Sequence, residues 1–195
     1  NPVREMRGII KSAMGFFKGS FSSILMMDKK PLLFAFRDPW GIRPLELGKI
    51  NGSYVLASET CAFESIKAEH IRSVLPGELV VLGQEGAFAS CQLFPPSFHY
   101  CVMELVYFMR PDSHFNGETL HSIRKRLGRI CAIEHPLKDS DMVAGVPQSG
   151  EPAAIGFAIE NRKNFDRPLI ENPVRNRERT YIGATKNIRR QNVGK

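Results

Sequence analysis

The chain has 195 residues, 43% hydrophobic and 24% charged, which is typical of a folded globular protein. No apolar run approaches the roughly 20 residues that a membrane-spanning helix needs, and no secretory signal opens the chain, so we expect a cytoplasmic protein without a membrane partner. Residues 161–195 hold ten Lys or Arg and three Asp or Glu, which equals the whole net charge of +7. A polyanion is therefore expected at that end, although a solvated tail explains the charge equally well.

The first 93 residues predict short strands joined by tight turns, a pattern of α+β proteins. Asp38, Arg43 and Glu59 carry charges that we expect to hold this part together as turn or ion-pair partners rather than to catalyse. The predicted strands cover residues 21–27, 32–36, 54–58, 78–82 and 87–93, with a short helix over 60–68.

Two prolines within residues 94–97 predict a linker, because proline ends both strands and helices. After it, apolar residues recur every three or four positions from 117 to 134 (Leu120, Ile123, Leu127, Ile130), which predicts a helix with those side chains inward and Arg124 largely off that face. A buried strand over 142–146 and an apolar helix over 153–159 follow.

A short loop joins that last strand and helix. It consists of Pro147, Gln148, Ser149 and Gly150. Backbone N–H groups and the positive end of the helix dipole at such a turn suit a phosphate or pyrophosphate group. An ordinary strand-to-helix turn remains the alternative on this pattern alone.

Several longer segments carry a family resemblance when taken in chain order. They read KGSFS at 18–22, RDPWGIRPL at 37–45, ASETCA at 57–62, PGE at 76–78, CVMELVYFMRPDS at 101–113, VPQSG at 146–150 and RTYI at 179–182. Together they resemble the amidophosphoribosyltransferases over nearly the whole chain from about residue 19. The YFxRPDS segment followed by VPxSG is the most specific part, since RDPxGIRPL occurs in other glutaminase domains too.

The resemblance implies an α+β fold followed by an α/β fold. Residues 1–96 would form the C-terminal part of a glutaminase domain (glutamine amidotransferase type 2) of the N-terminal-nucleophile class, with stacked antiparallel sheets and helices. Residues 97–195 would begin a type I phosphoribosyltransferase domain.

The implied reaction converts 5-phosphoribosyl 1-pyrophosphate (PRPP) and glutamine to 5-phosphoribosylamine, glutamate and pyrophosphate in de novo purine biosynthesis. Magnesium accompanies PRPP, and an N-terminal cysteine is the glutaminase nucleophile. These 195 residues begin with Asn1 and contain no segment like the acidic PRPP loop. We therefore assign no catalytic residue here and expect the chain to be an internal fragment with neither activity by itself.

The resemblance assigns PRPP binding to two segments. Pro147, Gln148, Ser149 and Gly150 match the pyrophosphate loop, although the family usually has Asp where Gln148 stands. The flexible loop that closes over PRPP is matched by Arg179, Thr180 and Tyr181, with Arg189 in the basic pair behind it. Arginine suits this role because its guanidinium binds phosphate with two parallel hydrogen bonds.

Three residues of the YFxRPDS segment have other expected places. Tyr107 and Arg110 would lie near the domain junction. Cys101 matches one ligand of the 4Fe-4S cluster that some family members carry, whose other ligands would lie beyond residue 195.

Partners and alternatives follow from the same resemblance. Nucleotides are expected as feedback inhibitors, and a homo-oligomer is expected for the complete protein. Another glutamine amidotransferase, a catalytically degenerate relative and a basic binding module are the competing hypotheses. Residues 161–195 contain only Phe165 and Tyr181 as aromatics, which disfavours nucleic acid as the partner.

Overall fold

The computed structural model describes residues 2–28, 30–170 and 185–187. Its first half is built from strands, and its second half is mainly helical. In chain order the elements are α1 (Pro2–Met14), β1 (Ser22–Met26), β2 (Leu33–Arg37), β3 (Glu46–Ile50), β4 (Ser53–Ala57), α2 (Cys61–Ile66), β5 (Glu69–Ser73), β6 (Glu78–Leu82), a 3₁₀ turn (Gln84–Gly86), β7 (Phe88–Gln92), a π-helix (Glu104–Phe108), β8 (His114–Phe115), β9 (Glu118–Thr119), α3 (Leu120–Glu134), β10 (Met142–Ala144), α4 (Glu151–Glu160) and β11 (Asn164–Asp166).

Two antiparallel sheets stack in the first half. One has the order β1-β2-β6-β7 and the other β4-β3-β5. Alternate residues of β2 face opposite sides because side chains alternate along a strand. Phe34 and Phe36 pack with Ile10 and Met14 of α1, whereas Ala35 joins the cluster that includes Leu47 of β3. The larger sheet is therefore covered by α1 on one face and by the smaller sheet on the other.

The turn after β2 is held by two buried charged residues. Asp38 accepts hydrogen bonds from the backbone N–H groups of Trp40 at 3.0 Å and Phe21 at 3.3 Å. Arg37 donates at 2.7 Å to three backbone carbonyls, those of Gly41, Arg43 and Val74. Asp38 thus has the structural role expected from the sequence.

Helices α3 and α4 pack unusually closely. A Cβ atom placed on Gly128 would lie 1.9 Å from the carbonyl oxygen of Ala153, and one on Gly156 equally near that of Lys125. The two glycines therefore let the helix backbones touch. The prediction for the inward face of α3 was partly wrong: Leu120 and Ile123 are buried, but Leu127 and Ile130 are 40% and 46% exposed, while Arg124 and Gly128 are buried.

The second half contains a strand–helix–strand unit. Strands β10 and β11 pair in parallel, with Val143 opposite Phe165, and α4 connects them. Parallel neighbours need such a crossover, usually a helix. This unit places the ends of both strands at one edge, where the predicted phosphate loop begins.

Candidate functional site

The predicted phosphate loop is a tight turn at the start of α4. The N–H of Gly150 donates to the carbonyl of Val146 at 3.1 Å, and the carbonyl of Gly150 accepts from Ala154 at 3.0 Å as α4 begins. A Cβ atom on Gly145 would lie 2.7 Å from Cα of Glu151. The loop can fold back this closely only because its ends are glycines.

The four predicted residues of the loop lie together at this turn. Gln148 is exposed, whereas Pro147, Ser149 and Gly150 are half-buried. The peptide bond between Pro147 and Gln148 is cis. Because the loop follows a parallel strand and precedes a helix, its position is one where α/β proteins commonly bind phosphate-containing ligands.

Arg167 adds a positive charge beside this turn, and the sequence analysis did not single it out. It follows β11, at the same edge of the sheet as the loop after β10. Its Nη2 atom donates to Oε2 of Glu151 at 2.8 Å, immediately after Gly150. The Arg167 side chain is 65% exposed, so its guanidinium is open to a further partner.

The second predicted phosphate-binding segment is not among the residues that the structure describes. Arg179, Thr180, Tyr181 and Arg189 fall outside the described residues. Their closure over the loop at Gly150 stays a prediction.

The YFxRPDS segment is tied to the ASE segment by hydrogen bonds across more than 50 positions. Oε2 of Glu59 accepts from the backbone N–H of Arg110 at 2.8 Å and from the hydroxyl of Ser113 at 2.6 Å. Next to it, the hydroxyl of Thr60 accepts from the N–H of His114 at 2.8 Å. Ser113 and Thr60 are buried. These hydrogen bonds therefore lie inside the protein, where they join the first half of the chain to the second.

Tyr107 and Arg110 lie next to this connection. The ring of Tyr107 is 51% exposed and packs edge-on against Phe108, with centroids 5.7 Å apart. The guanidinium of Arg110 pairs with Asp112 at 2.7 Å, whereas its backbone N–H donates to the Glu59 carboxylate. A junction role for both residues is consistent with these positions and stays a proposal.

A buried carboxylate, Glu104, lies within the π-helix and was not assigned a role from the sequence. Its Oε1 atom lies 2.8 Å from Nε of Arg43, and the Arg43 guanidinium also covers the ring of Phe108 at 5.2 Å. Burial raises the pKa of Glu104, an effect that Arg43 partly offsets. The RDPxGIRPL segment is thereby joined to the YFxRPDS segment.

Arg124 holds the same π-helix from the other side. It donates to the carbonyls of Leu105 at 2.7 Å and Met109 at 2.6 Å. Burial lowers its pKa, but its hydrogen bonds replace the water that it loses. The sequence did not predict the burial of Arg124. Lys125 and Arg126 follow it directly, and neighbouring cations usually mark a solvated helix face.

The described residues contain no group of three His, Cys, Asp or Glu arranged to hold a metal ion. Cys101 is half-buried and precedes the π-helix in the chain. The other cluster ligands were expected beyond residue 195, so the predicted ligand role of Cys101 stays untested. Within the same residues, no helix is long and apolar enough to span a bilayer.

Comparison with known proteins agrees with this geometry. Residues 4–65 match the family model described as a glutamine amidotransferase domain. The amidophosphoribosyltransferase of Synechococcus elongatus is 41% identical over 97% of this chain, and that of Bacillus subtilis is 37% identical over 94%. The solved glutamine PRPP amidotransferase from B. subtilis, complexed with ADP and GMP, matches 95% of the chain at 36% identity with a TM-score of 0.83.

The stacked antiparallel sheets and the match over residues 4–65 are similar to a glutamine amidotransferase domain. Over nearly all of its length the chain is similar to amidophosphoribosyltransferases in both sequence and fold. The chain spans about 38% of the length of these two curated relatives.

Proposed function

We propose that this chain is part of an enzyme that converts PRPP and glutamine to 5-phosphoribosylamine, glutamate and pyrophosphate in de novo purine biosynthesis, in the cytoplasm. The observation that carries the proposal is the match of 41% identity over 97% of the chain to an amidophosphoribosyltransferase. The loop that ends at Gly150 also supports it, since a loop between a parallel strand and a helix is a common position for phosphate binding.

The proposed domain division follows the change of architecture. Residues 1–96 would be the C-terminal part of the N-terminal-nucleophile glutaminase domain, and they contain both larger antiparallel sheets. Residues 97–195 would begin the type I phosphoribosyltransferase domain, and they contain the parallel β10–α4–β11 unit. The bonds from Glu59 to Arg110 and Ser113 would then join the two domains.

In this proposal the loop from Pro147 to Gly150 orients PRPP by its pyrophosphate group. Ammonia from glutamine attacks C1 of the ribose while the bond from C1 to the pyrophosphate oxygen breaks. The loop N–H groups stabilise the negative charge that grows on the leaving pyrophosphate. Arg179, Thr180, Tyr181 and Arg189 would cover the substrate, and Tyr107 and Arg110 would lie along the junction through which ammonia passes.

Magnesium would arrive with PRPP and neutralise part of its charge. The loop offers an amide oxygen at Gln148 and a hydroxyl at Ser149, and we assign no magnesium ligand among the described residues. Nucleotide inhibitors and a homo-oligomer belong to the same proposal; ADP and GMP are bound in the solved B. subtilis relative.

The test places this chain in a complete enzyme. Residues 1–195 replace the matching segment of the B. subtilis amidophosphoribosyltransferase, and pyrophosphate release from PRPP is measured with glutamine and with ammonium. We expect release with both nitrogen sources. A chimera that is folded by circular dichroism and size-exclusion chromatography but releases pyrophosphate with neither would overturn the proposal.

A pair of variants in the chimera tests the loop itself. Gln148→Asp restores the carboxylate of the family motif and is expected to lower KM for PRPP by about threefold or more. Gln84→Asp makes the same chemical change in the exposed 3₁₀ turn and should leave KM unchanged. Equal KM values for the two variants would argue against a substrate role for Gln148.

A further inference from the structure

A cavity that does not include the phosphate loop lies between the three-stranded sheet and the segment from Phe98 to Gly117. Its volume is about 970 Å³. Ligand sites in proteins commonly measure about 300–1,000 Å³ and combine apolar walls with a few fixed polar groups. The lining of this cavity has that composition, and nothing in the proposed reaction uses it.

Aromatic rings form two of its walls. The rings of Phe63 and His70 stack with centroids 5.9 Å apart. A second group in the lining has Tyr100 4.9 Å from Phe115 and 5.9 Å from Phe98. Such walls offer ring faces and edges to a flat ligand, and the electron-rich faces attract a cation.

The cations of the lining are already engaged by the protein. Arg37 gives its hydrogen bonds to three backbone carbonyls, and Arg72 forms two bonds of 2.8 and 2.6 Å to the carboxylate of Glu78. Neither guanidinium is therefore free to bind an anion in the cavity. Four glutamates share the lining with these two arginines, so the cavity is net negative when its two histidines, His70 and His114, are counted as neutral.

The carboxylates, by contrast, keep unused acceptor capacity. Glu46 is buried and fixed by His70 at 2.8 Å and by the hydroxyl of Ser73 at 2.9 Å. Glu104 is 7% exposed, and its Oε1 atom is near Nε of Arg43 without accepting a well-aligned hydrogen bond from any residue. The protein therefore satisfies this carboxylate incompletely, and a ligand that donates an N–H to its other oxygen would stabilise it.

We propose that this cavity binds a flat organic cation that carries N–H donors on an aromatic ring. The ring lies between the aromatic walls, and its donors bind the carboxylates of Glu104 and Glu46. Phosphorylated nucleotides are disfavoured there, because their negative charge meets a net negative lining with no available cation. This site goes beyond the proposed transferase reaction and does not depend on it.

Three probes of nearly the same shape test the charge preference. Benzamidine is cationic, benzamide neutral and benzoate anionic, and their binding to the 195-residue chain is measured by titration calorimetry and by NMR shifts. We expect benzamidine to bind at least about tenfold more tightly than benzamide, which is about 1.4 kcal/mol, and benzoate to bind most weakly. Equal affinity for the three probes, or no binding of benzamidine, overturns the proposal.

Variants then locate the binding. Glu104→Gln keeps the shape but removes the charge, so it should weaken benzamidine about tenfold and leave benzamide within about twofold. Glu118→Gln is the control, because Glu118 pairs with Arg126 and is absent from the cavity lining. If Glu104→Gln does not fold, Tyr100→Leu must weaken benzamidine instead, since it removes a ring face of the cavity. Unchanged benzamidine affinity in a folded Glu104→Gln or Tyr100→Leu protein also overturns the proposal.

Discussion

Oε2 of Glu59 accepts a hydrogen bond of 2.6 Å from the hydroxyl of Ser113, which lies 54 positions later in the chain. Ser113 is fully buried, so this bond forms inside the protein and not at its surface. The same carboxylate oxygen accepts from the N–H of Arg110 at 2.8 Å. One side chain of the ASE segment therefore fixes the turn through which the chain passes towards α3.

Removing this bond should destabilise the protein. Ser113→Ala leaves the carboxylate without a buried donor and is expected to lower the free energy of unfolding by about 1–3 kcal/mol. Urea unfolding followed by Trp40 fluorescence measures the change. Ser65→Ala is the control: Ser65 donates from an exposed side chain to the carbonyl of Cys61, and a change within about 0.5 kcal/mol is expected. Equal costs for the two serines would contradict the importance of the Glu59 bond.

The contact of α3 with α4 predicts a strong effect at glycine. Gly128→Ala would place a methyl group 1.9 Å from the Ala153 carbonyl oxygen, so the helices must separate, at a cost of about 3 kcal/mol or more. Gly8→Ala in α1 meets no atom within 4 Å and should instead stabilise by about 0.5–1 kcal/mol through helix propensity. Thermal unfolding measures the change in stability of each variant. A Gly128→Ala protein as stable as the wild type would exclude the close helix contact.

The pair of Arg72 and Glu78 predicts a dependence of stability on pH. Burial acts to raise the pKa of Glu78, but hydrogen bonds from Arg72 and from the N–H of Leu75 outweigh it and lower the pKa below its usual value. The pair therefore stabilises the fold above the unfolded-state pKa of about 4.3, and this stabilisation is lost as the pH falls through the lower folded-state pKa.

Glu78→Gln should accordingly cost on the order of 2 kcal/mol at pH 7, nearly the same at pH 5, and clearly less at pH 3.5. Urea unfolding of wild type and variant at each pH gives the difference. Glu64→Gln, at an exposed position of α2, should stay within about 0.5 kcal/mol of wild type throughout. A cost for Glu78→Gln that is constant with pH would mean that the charge of the carboxylate is unimportant.

Arg167 and Glu151 predict opposite effects at the phosphate loop, provided that the loop binds pyrophosphate. Arg167→Gln removes a cation beside the loop and should weaken magnesium pyrophosphate binding about fivefold. Glu151→Gln removes the carboxylate that engages this cation and should strengthen binding by about twofold or more. Titration calorimetry measures both affinities.

Arg129→Gln is the matched control for this pair, because Arg129 bonds Glu160 at the other end of α4. It should leave pyrophosphate affinity unchanged. If the wild type binds pyrophosphate and Arg167→Gln does not change the affinity, Arg167 has no role in binding. If the wild type does not bind pyrophosphate, the result counts against the loop itself.

The sequence predicted the local elements well where the pattern of apolar residues agreed with the positions of glycine and proline. Strand β6 was predicted over 78–82 and is found as Glu78–Leu82, since four consecutive apolar residues follow Glu78 and a Pro-Gly turn. The strand predicted over 142–146 and the helix predicted over 153–159 are also found, as β10 and α4. Their apolar runs are separated by glycine and proline residues. By contrast, α1 was not predicted, although Met6, Ile10 and Met14 recur at helical spacing and pack against the sheet.

By itself, the sequence showed the resemblance to the amidophosphoribosyltransferases and the position of the turn from Pro147 to Gly150, because both depend on residues that are close together in the chain. Only the tertiary structure decided what the isolated charges do. Arg124 is buried against the π-helix, Glu104 pairs with Arg43, and Arg167 approaches the loop through Glu151. A charged side chain gives the same local signal at the surface and in the interior, and only the partners that the fold brings to it decide which of the two it occupies.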